Sequence, residues 1–131
     1  SPSIEEYLNP TAAIINSPTA IMRDIIYLLL VDGIITPKER VELKKRAERL
    51  GLSLYQTEII ENDVRKKMNL PSLETLVEFE DFIKELLANE NSASLSEQSM
   101  KKLADMQKQL GIPDMEKERL VSANLKKYKN T

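Results

Sequence analysis

The sequence predicts an all-α protein: a compact helical bundle of about six to seven helices from two pseudo-repeated three-helix units. Three observations carry that expectation. The 131 residues include only three glycines, two phenylalanines and four tyrosines, and the abundance of Leu, Ile, Glu and Lys suits helices better than sheets. Apolar residues recur at helical rather than alternating spacing. The start and stop signals come in two sets: Leu50-Gly51-Leu52 returns as Leu110-Gly111-Ile112, an offset of 60 residues.

Residues 1–16 read as an N-terminal extension packed on the body. Ser3 and Glu6 form a capping box for a short turn through Leu8, Pro10 interrupts, and Ala12 to Ile15 make another helical turn. Ser17-Pro18 pairs a capping hydroxyl with proline at the first helical position and opens a helix to about Val31. Its residues Ile21, Met22, Ile25, Ile26, Leu28, Leu29, Leu30 and Val31 leave almost no polar face, which predicts a buried central helix. Gly33 ends it. Thr36-Pro37-Lys38-Glu39 starts the next helix, with Leu43, Ala47 and Leu50 as its buried stripe and Gly51 as a left-handed stop. Ser53 and Gln56 form another capping box, before a helix that turns Ile59, Ile60 and Val64 inward and ends near Lys67.

Asn69 to Ser72 is a linker, and the pattern then restarts. A helix from Leu73 to Leu87 buries Leu73, Leu76, Val77, Phe79, Phe82, Ile83, Leu86 and Leu87. A polar turn spans Asn89 to Ser94. A helix follows from about Leu95 to Leu110, and a last one from about Asp114 to Lys127, with Met115, Leu120 and Val121 as core. At the same offset Met22 falls on Phe82, Ile26 on Leu86, Thr36 on Ser96, Leu43 on Leu103 and Ile60 on Leu120. The helical domain is therefore 17–128, with repeats 17–68 and 73–128 and a frayed tail at 129–131.

Composition removes several function classes. There is no cysteine or histidine, so thiolate sites, imidazole bases and most zinc enzymes are excluded. The net charge of −2, from 19 basic and 21 acidic residues, is too balanced to favour nucleic acid as the main partner. The basic end Lys126-Lys127-Tyr128-Lys129 reads as a solubilising helix terminus that complements the helix dipole. No phosphate loop, zinc signature or nucleophile elbow is present. Glu61, Asp63 and Arg65 share a helix, where acid pairs are routine. The longest apolar run, Ile25 to Val31, falls far short of the ~20 residues that span a bilayer. Ser1-Pro2 reads as a processed or truncated start, and a cytoplasmic home is the default expectation.

The turn Asp32-Gly33-Ile34-Ile35-Thr36-Pro37-Lys38-Glu39 is the most distinctive segment. Asp32, Gly33, Ile35 and Glu39 have the spacing of positions 5, 6, 8 and 12 of a calcium-binding EF-hand loop. Positions 1 and 3 would be Leu28 and Leu30, which cannot bind calcium. The residues therefore predict a structural turn, in which Gly33 permits the reversal, Ile35 plugs the core and Glu39 caps its helix. Asp32 and Glu39 remain as a weak divalent-metal pair, and no other cofactor is expected. The second unit has Ser92, Ala93 and Ser99 at the matching positions.

The segment LLLVDGIITPKERVELKKRAERLGLS resembles the TerB-like domain family, which includes tellurite-resistance TerB and the domain preceding the J-domain in DjlA-type co-chaperones. The matching elements are an apolar helix ending in Asp-Gly, an aliphatic residue two positions on, a capped Glu-rich helix and a Leu-Gly-Leu-Ser break. The likeness is close over residues 22–64 and architectural over 73–125. It implies an all-α fold with an internal duplication, and a soluble, often membrane-associated or stress-linked protein with divalent metal bound through acidic residues. Asp32 and Glu39 match; the second repeat departs.

Two charged faces complete the reading. Glu74, Glu78, Asp81 and Glu85 fall on one side of the fourth helix, opposite its apolar stripe. Lys38, Lys45 and Arg49 line one side of the second, with Val41 exposed among them. An apolar residue inside a basic stripe marks a contact surface. The expected function is a non-enzymatic protein-interaction module that docks another protein, or a second copy of itself, through charged helix faces. The alternative is a divalent-metal-responsive stress protein using Asp32 and Glu39.

Overall fold

A computed structural model describes residues 17–90 and 94–129. The turns expected before Ser17, part of the polar turn after Asn89 and the last two residues of the tail lie outside the described residues. Among the described residues there are six α-helices, a short 3-10 turn and no strand, so the chain is all-α. It divides into two compact units, Ser1–Arg65 and Lys66–Thr131.

In the first unit, helix α1 spans Pro18–Leu29. The Ser17 hydroxyl accepts a hydrogen bond from the Ala20 amide at 3.1 Å, satisfying one of the amides a helix start leaves open. A 3-10 turn, Leu30–Asp32, tightens the end, and Gly33 at φ +85° reverses the chain. Only glycine adopts that left-handed conformation without a Cβ penalty. Helix α2, Pro37–Arg49, opens with a full capping box between Thr36 and Glu39. Helix α3, Leu54–Lys67, opens with a second: the Ser53 amide donates to Gln56 Oε1 at 2.8 Å and the Gln56 amide to Ser53 Oγ at 3.1 Å. Met22, Ile26 and Leu30 are fully buried, together with Ile34, Ile35, Leu43, Ala47, Ile60 and Val64.

The expectation that α1 is buried all round is overturned. Leu28 and Val31 are 74% and 75% exposed, and Ile21 is 38% exposed. Met22, Ile26 and Leu30 recur every fourth residue and take the inward side; Ile21, Ile25 and Leu28 form a second apolar stripe beside it. Ile59, expected inside, is 52% exposed. The inward side of α3 is taken by Ile60, Glu61, Val64 and Arg65, and Ile59 falls on the opposite side of the helix.

In the second unit, α4 spans Leu73–Ala88, α5 Glu97–Leu110 and α6 Asp114–Lys129. Ser72 and Ser96 cap α4 and α5 by accepting from the Thr75 and Ser99 amides. Helix α4 packs against both α5 and α6. The core joins Leu76, Phe79, Ile83, Leu86 and Leu87 from α4 to Leu103, Ile112 and Leu120, with Phe82, Val121 and Leu125 partly buried against it. Burying each such side chain contributes about 2 kcal/mol before the entropy of ordering it. Two expected core residues lie outside: Val77 is 59% exposed and Met115 55%. Val77 follows Glu74 by three residues and precedes Asp81 by four, so it shares their side of α4. At α6 the inward position next to Met115 goes to Glu116, which is 1% exposed.

An offset of 60 relates some of the helix starts. It separates Pro37 from Glu97 at the starts of α2 and α5, and Leu54 from Asp114 at those of α3 and α6. Gly51 and Gly111 occupy matching left-handed positions at φ +73° and +70°. Helices α1 and α4 do not begin in that register.

Candidate functional site

The first unit has a groove between α1 and α2, reached by Ile25 of the second apolar stripe. Ile25, Leu29 and Leu43 make its floor, Lys38, Glu42 and Arg46 stand on its α2 lip, and it encloses about 290 Å³. It has the apolar floor and polar rim of a recognition surface.

The outer side of α2 continues from that lip. Lys38, Lys45 and Arg49 are exposed, and Val41 among them is 55% exposed, in the arrangement the sequence led us to expect. Lys45 makes an exposed ion pair with Glu42 at 3.5 Å, a contact of the weakest kind. On α4, Glu74, Glu78, Asp81 and Glu85 are exposed as well, and Val77 stands beside them. Each charged face thus carries one exposed valine.

The Asp-Gly turn is engaged in holding the backbone. The Ile34 amide donates to Asp32 Oδ1 at 3.1 Å. The Thr36 amide donates to Glu39 Oε1 at 2.9 Å, while the Glu39 amide donates to Thr36 Oγ1 at 3.1 Å. A calcium ion takes six to eight oxygen ligands. Two carboxylates already accepting from backbone amides fall short of that set. Among the described residues, no group of three or more His, Cys, Asp or Glu side chains is placed to hold a metal ion.

The chemistry the sequence did not reveal lies between α2 and α3. Glu61 and Arg65 are each 1% exposed. Arg40 clamps the Glu61 carboxylate with both terminal nitrogens, Nη1 to Oε1 at 2.5 Å and Nη2 to Oε2 at 2.9 Å. Arg65 Nε donates to Oε2 at 2.7 Å from one turn further along α3. Burial alone would raise the Glu61 pKa; the Arg40 and Arg65 guanidinium groups outweigh it and hold the carboxyl below its ordinary value. Arg23 of α1 pairs with Asp63, so α3 is tied to both other helices of its unit by ions. One sequence signal was available: Glu61 and Arg65 repeat at the same four-residue spacing as Ile60 and Val64 beside them, which places a charged pair at the edge of the core.

The second unit places polar groups differently. Asn124, 4% exposed, donates through Nδ2 to Glu80 Oε2 at 2.8 Å and to the Leu120 carbonyl at 2.7 Å. Glu116 accepts from Arg119 Nε at 2.7 Å. Glu90 Oε1 accepts from the Ser99 hydroxyl, the Ser96 amide and the Ser96 hydroxyl. These bonds, the Ser99 hydroxyl foremost, lower its pKa.

Compared with protein-family models, curated proteins and solved structures, the chain matches none. No described helix is long and apolar enough to cross a membrane.

Proposed function

We propose that this chain is a non-enzymatic protein-interaction module of TerB-like type that docks its partner through charged helix faces. The observation that carries the reading is the outer side of α2, where Lys38, Lys45 and Arg49 surround the exposed Val41 beside the apolar groove floored by Ile25, Leu29 and Leu43. Exposed apolar surface beside a basic stripe suits a protein partner that carries carboxylates, because the apolar centre supplies affinity and the charges supply orientation and encounter rate. The partner that fits presents apolar residues flanked by carboxylates. The TerB-like affinity belongs to the same proposal and rests on the Asp-Gly turn and the capped helix after it.

The test is affinity capture from native lysate with the parent chain and with a Val41→Asp, Lys45→Glu, Arg49→Glu variant. All three side chains are exposed, so the melting temperature is expected to stay within a few degrees while the captured protein is lost. Equal capture by both chains would remove the α2 face from the reading.

A further inference from the structure

The two charged faces share one spacing. On α2 the sequence Lys38, Val41, Lys45, Arg49 occupies a residue and its third, seventh and eleventh successors. On α4, Glu74, Val77, Asp81 and Glu85 occupy the same four places. Every member of both sets is exposed, the valines at 55% and 59%. Three basic residues thus face solvent with a valine at the second place, and three acidic residues repeat the pattern in opposite charge.

We infer that the partner of the α2 face is the α4 face of a second copy of this chain. The inference rests on the reading of α2 as a docking surface and names its occupant. Spacings of three and four residues keep a set on one side of a helix, so each set forms a ridge about 16 Å long at 1.5 Å per residue. Laid parallel, Lys38 meets Glu74, Lys45 meets Asp81 and Arg49 meets Glu85. Laid antiparallel, Lys38 meets Glu85 and Arg49 meets Glu74, with Lys45 between Glu78 and Asp81. Opposite charges meet in either direction, while two α2 faces or two α4 faces would set like charges together. Recognition is therefore between unlike faces, the head-to-tail kind that closes into a pair or ring or extends into a chain. A single helix-on-helix contact buries less than the ~1,600 Å² of a standard interface. The complex is accordingly weak, and its charge pairs lie within reach of screening by salt.

The test is sedimentation of the purified full chain at low and high salt, with three variants. The parent is expected to self-associate at low salt, with affinity falling by about tenfold as salt screens three exposed charge pairs. Lys38→Glu, Lys45→Glu, Arg49→Glu makes both faces acidic; Glu74→Lys, Asp81→Lys, Glu85→Lys makes both basic. Each alone is expected to be monomeric. Their equimolar mixture, and the chain carrying all six changes, are expected to associate again, an outcome no folding defect would produce. A parent that stays monomeric at low salt, or variants that do not recover on mixing, overturns the inference. In that event the wider reading stands if charge reversal on α2 still abolishes capture of another protein, and falls with it if capture is unchanged.

Discussion

The third helix of each unit is fastened by different chemistry. In the first, α3 is held to α2 through Glu61 clamped by Arg40 and Arg65, and to α1 through Arg23 and Asp63. At the offset of 60 that relates α2 to α5 and α3 to α6, Arg40, Glu61 and Arg65 correspond to Met100, Val121 and Leu125. Two of those, Val121 and Leu125, pack against the apolar core of the second unit. Two of the three places are thus filled by ions in one unit and by core hydrocarbon in the other, while Met100 is 51% exposed. The comparison teaches that the local helix pattern does not dictate the contents of the seam between helices. An ion cluster has to recover the hydration it gives up, whereas an apolar seam gains from losing water.

The largest expected effect breaks the ion cluster from one side. Glu61→Ala leaves two guanidinium groups facing each other, one of them fully buried, and is expected to cost about 3–5 kcal/mol in a urea melt. Replacing the whole set by its counterparts, Arg40→Met, Glu61→Val and Arg65→Leu together, removes the desolvation cost along with the attraction. The triple variant is expected to melt within about 1 kcal/mol of the parent or above it. A triple variant as damaged as the single one would show that the two seams are not interchangeable.

A gentler perturbation sharpens the same contrast. The folded-state pKa of Glu61 lies below its ordinary value, so the unfolded chain takes up a proton first. The stability Glu61 contributes is present above its unfolded pKa and is lost as pH falls through the folded one. The parent is therefore expected to lose stability on acidification more steeply than the Arg40→Met, Glu61→Val, Arg65→Leu chain. Parallel acid titrations of the two melting temperatures would remove Glu61 from the account.

Much of this architecture was legible because it is local. Ser17, Thr36 and Ser53 announce helix starts within four residues of chain, and Gly51 and Gly111 announce stops. The Glu39 cap follows from the same short range, as does the exposure of Lys38, Val41, Lys45 and Arg49, whereas the Asp32 acceptance from the Ile34 amide does not appear among the sequence expectations. Val77, Met115 and Ile59 differ from expectation because hydrophobicity marks a residue as able to be buried, while its phase on the helix decides whether it points inward. The Arg40–Glu61 and Arg23–Asp63 pairs join residues 21 and 40 positions apart. Nothing local distinguishes those arginines from the solvated ones on α2. Glu90 read as one more polar residue of a turn, because its role depends on the fold of the turn itself.

Glu90 also supplies the smallest and most local comparison. At the start of α2, Glu39 reaches back to the Thr36 amide from within its own helix. At the start of α5 that position is Ser99, too short to return the bond, and Glu90 from the end of the preceding helix accepts from the Ser96 amide instead. One need is met by a carboxylate three residues ahead in one unit and six residues behind in the other. Glu90→Ala is expected to speed hydrogen exchange at the Ser96 amide, with little change in the melting temperature. Ser99→Glu rebuilds the reciprocal box of the first unit, and in that background Glu90→Ala is expected to leave the Ser96 amide as protected as before. Non-additivity of the two substitutions is the signature of a shared acceptor role. Additive effects would mean that Glu90 acts on the turn by some route other than the Ser96 amide.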